Sequence, residues 1–325
     1  HGLFFYELKK TFICQKGLVL FLACIMIQIF ILSQYNDYFG TDEYYYQNYI
    51  DQFGDRIDDQ TDEKLQNEEQ RIAALYTELE NSVTAYKLQQ ELECEGGFQR
   101  YADRVRELRE DGRSPLLLKD AQYTLLFTNT PLSRSWVILL CMSFAFLVIS
   151  VFYREKATHM ELLQKSSLFG RRKLFYFKFL TLLLYFIPFC LLGAVLRLIW
   201  SSSHYRLDWD APANCLEIFR ETGITCSIRS IFFLGTLLQC IFVVLALLLL
   251  SRLAELSKRR YLMPAIILGC TVIPTLLSPY FPVAWLQIVH NLFFIFTASV
   301  YFISGTLLIL AVCAAFITER KMRNE

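Results

Sequence analysis

The chain has 325 residues, 54% of them hydrophobic and 28 of them Phe, and its 32 basic residues nearly balance 31 acidic ones for a net charge of +1. By length alone it would make two soluble domains, but the charges are confined to a few segments between long apolar runs. That pattern excludes a soluble globular fold, and the near-neutral balance excludes the broadly basic surface that grips nucleic acid.

Uncharged runs fall at residues 17–33, 135–153, 179–196, 230–250 and 261–277, with a longer one at 283–317. About 20 helical residues cross a hydrocarbon core of about 30 Å, so the runs predict an all-α polytopic membrane protein with six transmembrane helices. Its divisions are an amphipathic helix and first span (1–33), a large helical extracellular insertion (34–134), and spans two to six (135–325).

Residues 3–16 form an amphipathic stretch, with Phe5, Leu8 and Phe12 set against Lys9 and Lys10. The run at 17–33 reads as a span, not a cleavable signal, because no small-residue cleavage site follows it. The insertion opens with Tyr35, Tyr38, Tyr44, Tyr45, Tyr46 and Tyr49. Such rings suit either a membrane–water interface or a ligand-contacting rim. From 59 to 92 the pattern is helical, with Leu65, Ile72, Leu79 and Tyr86 seven residues apart and Leu75, Tyr76 and Val83 on the same face. Gly96-Gly97 breaks it, and Phe98, Tyr101, Val105 and Leu108 mark a second helix ending at Asp111-Gly112. A helical hairpin results. Its apolar stripe is covered by its own partner helix, another subunit or a ligand.

Residues 37–111 hold 20 Asp/Glu against 8 Lys/Arg. The basic excess lies at Lys9, Lys10 and Lys16; in 154–178; at Arg252, Lys258, Arg259 and Arg260; and at Arg320, Lys321 and Arg323. With six spans these places share one side and the acidic block takes the other. The positive-inside rule then puts both termini in the cytoplasm and the acidic block outside.

The cytoplasmic segment 154–178 is too long for a tight turn. Met160, Leu163 and Ser167, flanked by Leu162 and Phe169, give a short helix one apolar face, and 166–170 turns the chain. Arg171, Arg172 and Lys173 sit at headgroup level. A short helix exposed beyond rigid spans suits a lever that docks into a soluble partner. Beyond the third span, Arg197 lies near Trp200, where snorkelling to the interface accounts for it. The second outer segment, 201–229, contains Cys215 and Cys226, which either close a disulfide loop in an oxidising compartment or stand as thiols. The other cysteines lie mostly in or beside apolar runs, as small hydrophobes do. Pro279, Pro282 and the polar Gln287, His290 and Asn291 divide the last run into a re-entrant element (283–296) and a sixth span (297–317); a single long tilted helix is the alternative.

There is no phosphate-cradling GxxxxGK[ST], no HExxH and no GxSxG. The spans hold almost no ionisable residue, against ion-coupled transport and voltage sensing. Energy for any solute movement must come from another subunit.

Segment 154–178 resembles the intracellular coupling region of type-2 ABC exporter permeases. The resemblance rests on Glu155, Leu162-Leu163, Ser166-Ser167, Arg171-Arg172, Leu174 and Lys178. It departs in having Leu168 where Pro is common, a longer Glu-to-Leu-Leu spacing and no Gly after the Glu. The rest of the chain is similar to the same plan: an N-terminal elbow helix at 3–16, six spans, cytoplasmic termini and a re-entrant element before the last span.

The resemblance implies a permease, not an enzyme, in the cell membrane. It would pair with a second permease, identical or not, and with separate ABC ATPase subunits that hold ATP and Mg, while this chain carries no cofactor and no metal. His159, Met160, Leu162, Leu163, Ser166 and Ser167 would form the ATPase-coupling helix (about 159–168), with Glu155, Arg171, Arg172 and Lys178 as a cytoplasmic gate or anchor. Membrane lipids surround it, and the cargo would be amphipathic, lipid-like or peptide, as in antimicrobial-peptide export or immunity. Two alternatives are a mechanotransmission ABC permease and an ATP-independent receptor or scaffold that signals through the outer hairpin.

Overall fold

The computed structural model describes residues 2–35, 40–81, 85–111, 116–127, 131–153, 170–222, 224–256, 265, 269 and 272–277. Every regular element among them is helical, apart from isolated bridges of Arg56 with Leu116 and Pro212 with Ser227. The chain divides into two compact units: His1–Tyr35 with Leu125–His204 and Phe232–Glu325, and Asn36–Thr124 with Tyr205–Ile231. The two outer segments that the sequence separates thus fold together.

Four helices of the first, membrane unit are long and apolar enough to cross a bilayer. They are α2 (Gly17–Gln34), α8 (Pro131–Val148, prolonged by a wider π-type turn, Ile149–Tyr153), α9 (Gly170–His204) and α10 (Ile228–Leu256). Of the predicted fifth span, the short α11 (Ile273–Leu277) is described; the sixth span and the re-entrant element lie outside the described residues. The 35 residues of α9 extend for roughly 50 Å, well beyond the hydrocarbon core.

Hydrophobicity does not draw helices together within lipid, so close packing must. Trp136 stacks on Phe189 at 4.3 Å and Phe144 on Phe186 at 4.1 Å, while Phe152 meets Phe175 at 6.3 Å. These contacts run α8 antiparallel to α9. Gly193 makes the closest approach possible, because a Cβ there would stand 2.1 Å from Trp136 Nε1. The α2 helix adds Phe21 against Tyr185 and Phe189, Cys24 Sγ 3.3 Å from Ser143 Oγ, and Ser135 Oγ donating to Gln28 Oε1 at 3.0 Å.

The amphipathic stretch becomes α1 (Gly2–Lys9) and a π-type turn over Lys10–Cys14. Its buried face differs from the expected one: Phe5 is 62% exposed, whereas Glu7 is buried and paired with Lys10 at 3.1 Å. Phe4 meets Phe177 and Phe12 meets Tyr185, so α1 lies along the first half of α9. Lys16 takes the left-handed conformation at φ 58°, and a Cβ on Gly17 would stand 2.7 Å from the Thr11 carbonyl oxygen. That turn leaves room only for glycine.

The second, polar unit contains α3 (Thr41–Phe53), α4 (Asp59–Asn81), α5 (Ala85–Leu92) and α6 (Glu95–Asp111). The chain then enters a 3-10 turn (Asp120–Tyr123) and α7 (Thr124–Phe127). Reciprocal bonds of 3.0 Å between the Asp58 carboxylate and Thr61 N–H, and between Asp58 N–H and Thr61 Oγ1, cap α4. The core joins Tyr46, Tyr49 and Ile50 of α3 to Leu65 and Ile72 of α4 and to Phe98, Tyr101, Val105 and Leu108 of α6.

Three sequence expectations are corrected here. Tyr46 and Tyr49 are core residues that cover the hairpin's stripe, not a membrane belt or a ligand rim, although Tyr44 is exposed. Of the helix predicted over 59–92, Asp59–Asn81 and Ala85–Leu92 are described and helical, and its stripe is buried at Leu65, Ile72 and Leu75 but not at Tyr86, which is 79% exposed. Gly96-Gly97 does not break the chain but lies in the first turn of α6. A Cβ on Gly97 would meet Tyr46 N at 2.7 Å and the Asp42 carbonyl oxygen at 2.8 Å. The glycine is required by the α3–α6 crossing.

Segment 205–231 is held to the rest of this unit by charge. Arg104 donates to the Cys215 carbonyl oxygen at 2.7 Å, Arg100 pairs with Glu217 at 3.2 Å and with Glu43, and Arg220 pairs with Glu107. Glu217 N–H donates to Asp120 Oδ1 at 3.2 Å. The Pro212–Ser227 bridge draws the ends of the loop together, with Cys215 buried and Cys226 exposed.

Gly97→Ala should destabilise the polar unit by about 1–3 kcal/mol, because backbone atoms block the new methyl. Gly96→Ala should cost much less, since its methyl meets only the movable Asp42 carboxylate, at 2.4 Å. Proteolysis rates of the intact protein across increasing urea compare the two.

A second expectation concerns pH. Burial pushes the Asp120 carboxyl up to about 7; Arg104, the Glu217 amide and Arg100 oppose this, and the Glu217 carboxylate adds to it. The folded state therefore keeps a proton that the unfolded chain releases near pH 4, so stability falls as pH rises from about 4 to 7 and is level above. The slope is at most about 1.4 kcal/mol per pH unit. Glu107, held below the usual carboxylate range by Arg220 and Arg104, loses its stabilising contribution only at lower pH. Amides of residues 211–220 in the intact protein should exchange more slowly at pH 5.5 than at pH 8 after correction for intrinsic rates. Asp120→Asn should remove that difference.

Candidate functional site at the basic end of the membrane unit

The antiparallel register of α8 and α9 brings the last turn of α8 beside the first turns of α9, at the end where segment 154–169 leaves and returns. The apolar sequences there would pack as plain lipid-facing helices. Instead, charges are folded into an aromatic cluster.

Phe175 lies near the middle of this cluster. It runs parallel to Phe179 at 6.3 Å and tilts against Phe152, and the Arg252 guanidinium from the end of α10 stands 3.7 Å over its ring. Arg252 Nη1 also bonds Glu255 Oε2 at 2.8 Å, with both side chains largely buried. Lys178, one turn of α9 beyond Phe175, is buried with its Nζ 5.5 Å from the Phe152 centroid. A buried cation without compensation costs several kcal/mol, and the π faces and Glu255 supply compensation here.

The α1 region closes the other side. Gln15 Nε2 donates to the Ser150 carbonyl oxygen at 2.9 Å, inside the π-type turn that ends α8. Tyr153, the last described residue before segment 154–169, is itself buried. Both ends of that segment therefore start from a rigid frame in which α8, α9 and α10 meet and α1 is tied in.

Of the residues singled out in sequence, Lys178 is brought into this frame, against Phe152. Arg171 and Arg172 lie in the first turn of α9. Glu155, His159, Met160, Leu162, Leu163, Ser166 and Ser167 lie outside the described residues. Sequence reasoning missed the Arg252–Glu255 pair, counting Arg252 only towards orientation; its signal was two opposite charges three residues apart at the end of an apolar run. Among the described residues, no group of three His, Cys, Asp or Glu can hold a metal. The cluster joins the ends of α8, α9 and α10 through charge and π contacts.

No protein-family model, no curated protein and no solved structure matches the chain.

Arg252→Met should lower stability by about 3 kcal/mol, because it removes the cation bonded to the buried Glu255 carboxylate. Removing both charges, in Arg252→Met with Glu255→Leu, should return the protein to within about 1 kcal/mol of the parent. Thermal unfolding of the purified protein in one detergent compares them.

Proposed function

We propose that this chain is the permease subunit of an ATP-driven ABC transporter with a type-2 exporter plan. It sits in the cell membrane as a multi-pass protein with both termini in the cytoplasm. The observation that carries this reading is the basic-end frame. Lys9, Lys10, Arg171, Arg172, Lys173, Lys178 and Arg252 belong to α1 and its following turn, the first turns of α9 and the last turns of α10, and Lys178 and Arg252 pack on Phe152 and Phe175; a basic concentration of this kind is what the positive-inside rule asks of a cytoplasmic end. A lever at 159–168, mounted on that frame, transmits force from a soluble ATPase to three spans together.

In this reading ATP and Mg are bound by partner ATPase subunits, and a second permease completes the translocation path. The cargo is an amphipathic, lipid-like or peptide molecule, as in antimicrobial-peptide export or immunity. The polar unit is extracellular, where it gates release, caps the permease pair or captures a peptide. Its construction from two separate stretches of chain also favours a second reading, a mechanotransmission ABC permease that moves this unit without carrying a solute.

Leu163→Asp places a charge on the docking face of the lever and should abolish function with little effect on insertion. In the native host, the wild-type chain should restore the phenotype lost on deletion, and Leu163→Asp at the same membrane level should restore less than about a tenth of it. Full complementation by the variant contradicts the coupling assignment.

A further inference from the structure

The polar unit presents aromatic rings outside its core as well as within it. Along α3, Tyr46 and Tyr49 are buried in the core, Tyr45 lies at the core's edge, and Tyr44 is 59% exposed. On α4, Tyr76 is 44% exposed although Leu75 beside it is buried. Contacts join these rings in series. Tyr44 meets Tyr45 edge-on at 5.4 Å, Gly97 in the first turn of α6 lies against Tyr45 Cβ, and the Tyr76 hydroxyl donates to Glu95 Oε2 in that same turn. The last bond holds the exposed Tyr76 ring in place, so little rotamer freedom is lost when a partner packs on it.

Carboxylates rim the same face. The Asp42 carboxylate lies against Gly96, and Glu95 Oε1 accepts from Gln99 Nε2 at 3.1 Å. Burial pushes the Tyr45 phenol up, and the nearby Glu93 carboxylate adds to it. The arginines of the flanking turns are engaged elsewhere, Arg71 with Glu68 and Arg100 with Glu43 and Glu217, and among the described residues no Lys or Arg pairs with Asp42, Glu93 or Glu95. Nearer the other end of α4 and α6 acids are neutralised, Asp62 by Arg109 and Glu69 by Arg106. Uncompensated negative charge therefore collects where the tyrosines are exposed.

We propose that Tyr44, Tyr45 and Tyr76, with Asp42, Glu93 and Glu95, form the docking surface for a cationic peptide rich in Lys or Arg. A basic head group gains from both a carboxylate and a tyrosine face, while its aliphatic stem covers the ring. The acidic excess of residues 37–111, 20 Asp/Glu against 8 Lys/Arg, draws such a peptide in and repels an acidic one. The surface gives residues and a charge class to the peptide capture proposed above and rests on that reading for the peptide's source. Binding to the purified chain needs no ATPase, so its failure leaves the coupling assignment standing, and failure of coupling leaves binding intact.

The test uses the full-length protein in dodecyl maltoside, an uncharged detergent. The probe is a short fluorescent peptide of alternating Lys and Ser, which has no apolar residue to enter the micelle, and its counterpart has Glu for every Lys. Fluorescence anisotropy at low salt should show the Lys peptide binding at least about tenfold more tightly than the Glu peptide. Glu93→Gln with Glu95→Gln should weaken it about fivefold or more, and Tyr44→Ser with Tyr76→Ser by a similar factor. Glu63→Gln with Glu110→Gln removes as much charge roughly 20 Å away along α4 and α6, and should change binding by less than about twofold. Should the tyrosine variant fail to fold, the acid pair decides alone, because Gln preserves the bond from Tyr76. Equal binding of the two peptides, no binding of either, undiminished binding in a folded patch variant, or an equal loss in the Glu63 and Glu110 variant overturns the proposal. So does a change of oligomeric state in the patch variants by analytical ultracentrifugation, which gives the face to a second copy of the chain.

Discussion

The membrane unit depends on one packing contact: the indole of Trp136 laid over Gly193 and stacked on Phe189, repeated two turns later by Phe144 on Phe186. In lipid, where apolar burial gives no preference for protein over solvent, such close shape matching supplies the specificity that hydrophobicity supplies in water. It sets the register of α8 against α9, and the register places chemistry at both ends. Phe152, Phe175 and Lys178 meet at one end, and Arg197 is buried one turn beyond Gly193 at the other. A methyl group on Gly193 would disturb both.

The polar unit is organised on a different principle. Its α3–α6 crossing is equally close, through Gly97, and its core is conventional in burying Tyr46, Tyr101 and Phe98. What fastens segment 205–231 to that core, however, is a set of arginines on α6 meeting carboxylates and carbonyls. Arg100, Arg104, Glu107 and Asp120 are therefore the groups through which pH and salt act on this unit.

The legible part of this fold was periodic. Leu65 and Ile72, and Phe98, Tyr101, Val105 and Leu108, repeat with helical spacing and are buried as that spacing requires. Four uncharged runs correspond to four long helices. What could not be read was any feature whose meaning depends on its neighbour. A tyrosine-rich stretch looks the same whether it faces a bilayer or a core. Only the spacing of Tyr46, Tyr49, Ile50 and Phe53 hinted at one helical face. A glycine pair breaks helices in isolation and joins them at a crossing, and nothing local distinguishes the two. An arginine near a span end reads the same in sequence whether it snorkels outward or, as Arg197 does, stays buried. At the basic end, Lys178 was legible as a charge beside a span, whereas its contact with Phe152 and the Arg252–Phe175–Glu255 linkage arise from the tertiary register.

The central claim is that a frame of buried cations and rings carries a lever for a separate ATPase. Purification from the native host in mild detergent, with mass spectrometry of whatever stays bound, tests it most directly. The account predicts a stoichiometric soluble partner carrying GxxxxGK[ST], with a second permease chain or a second copy of this one. Repeated recovery of the chain from active membranes without any such ATPase would contradict it.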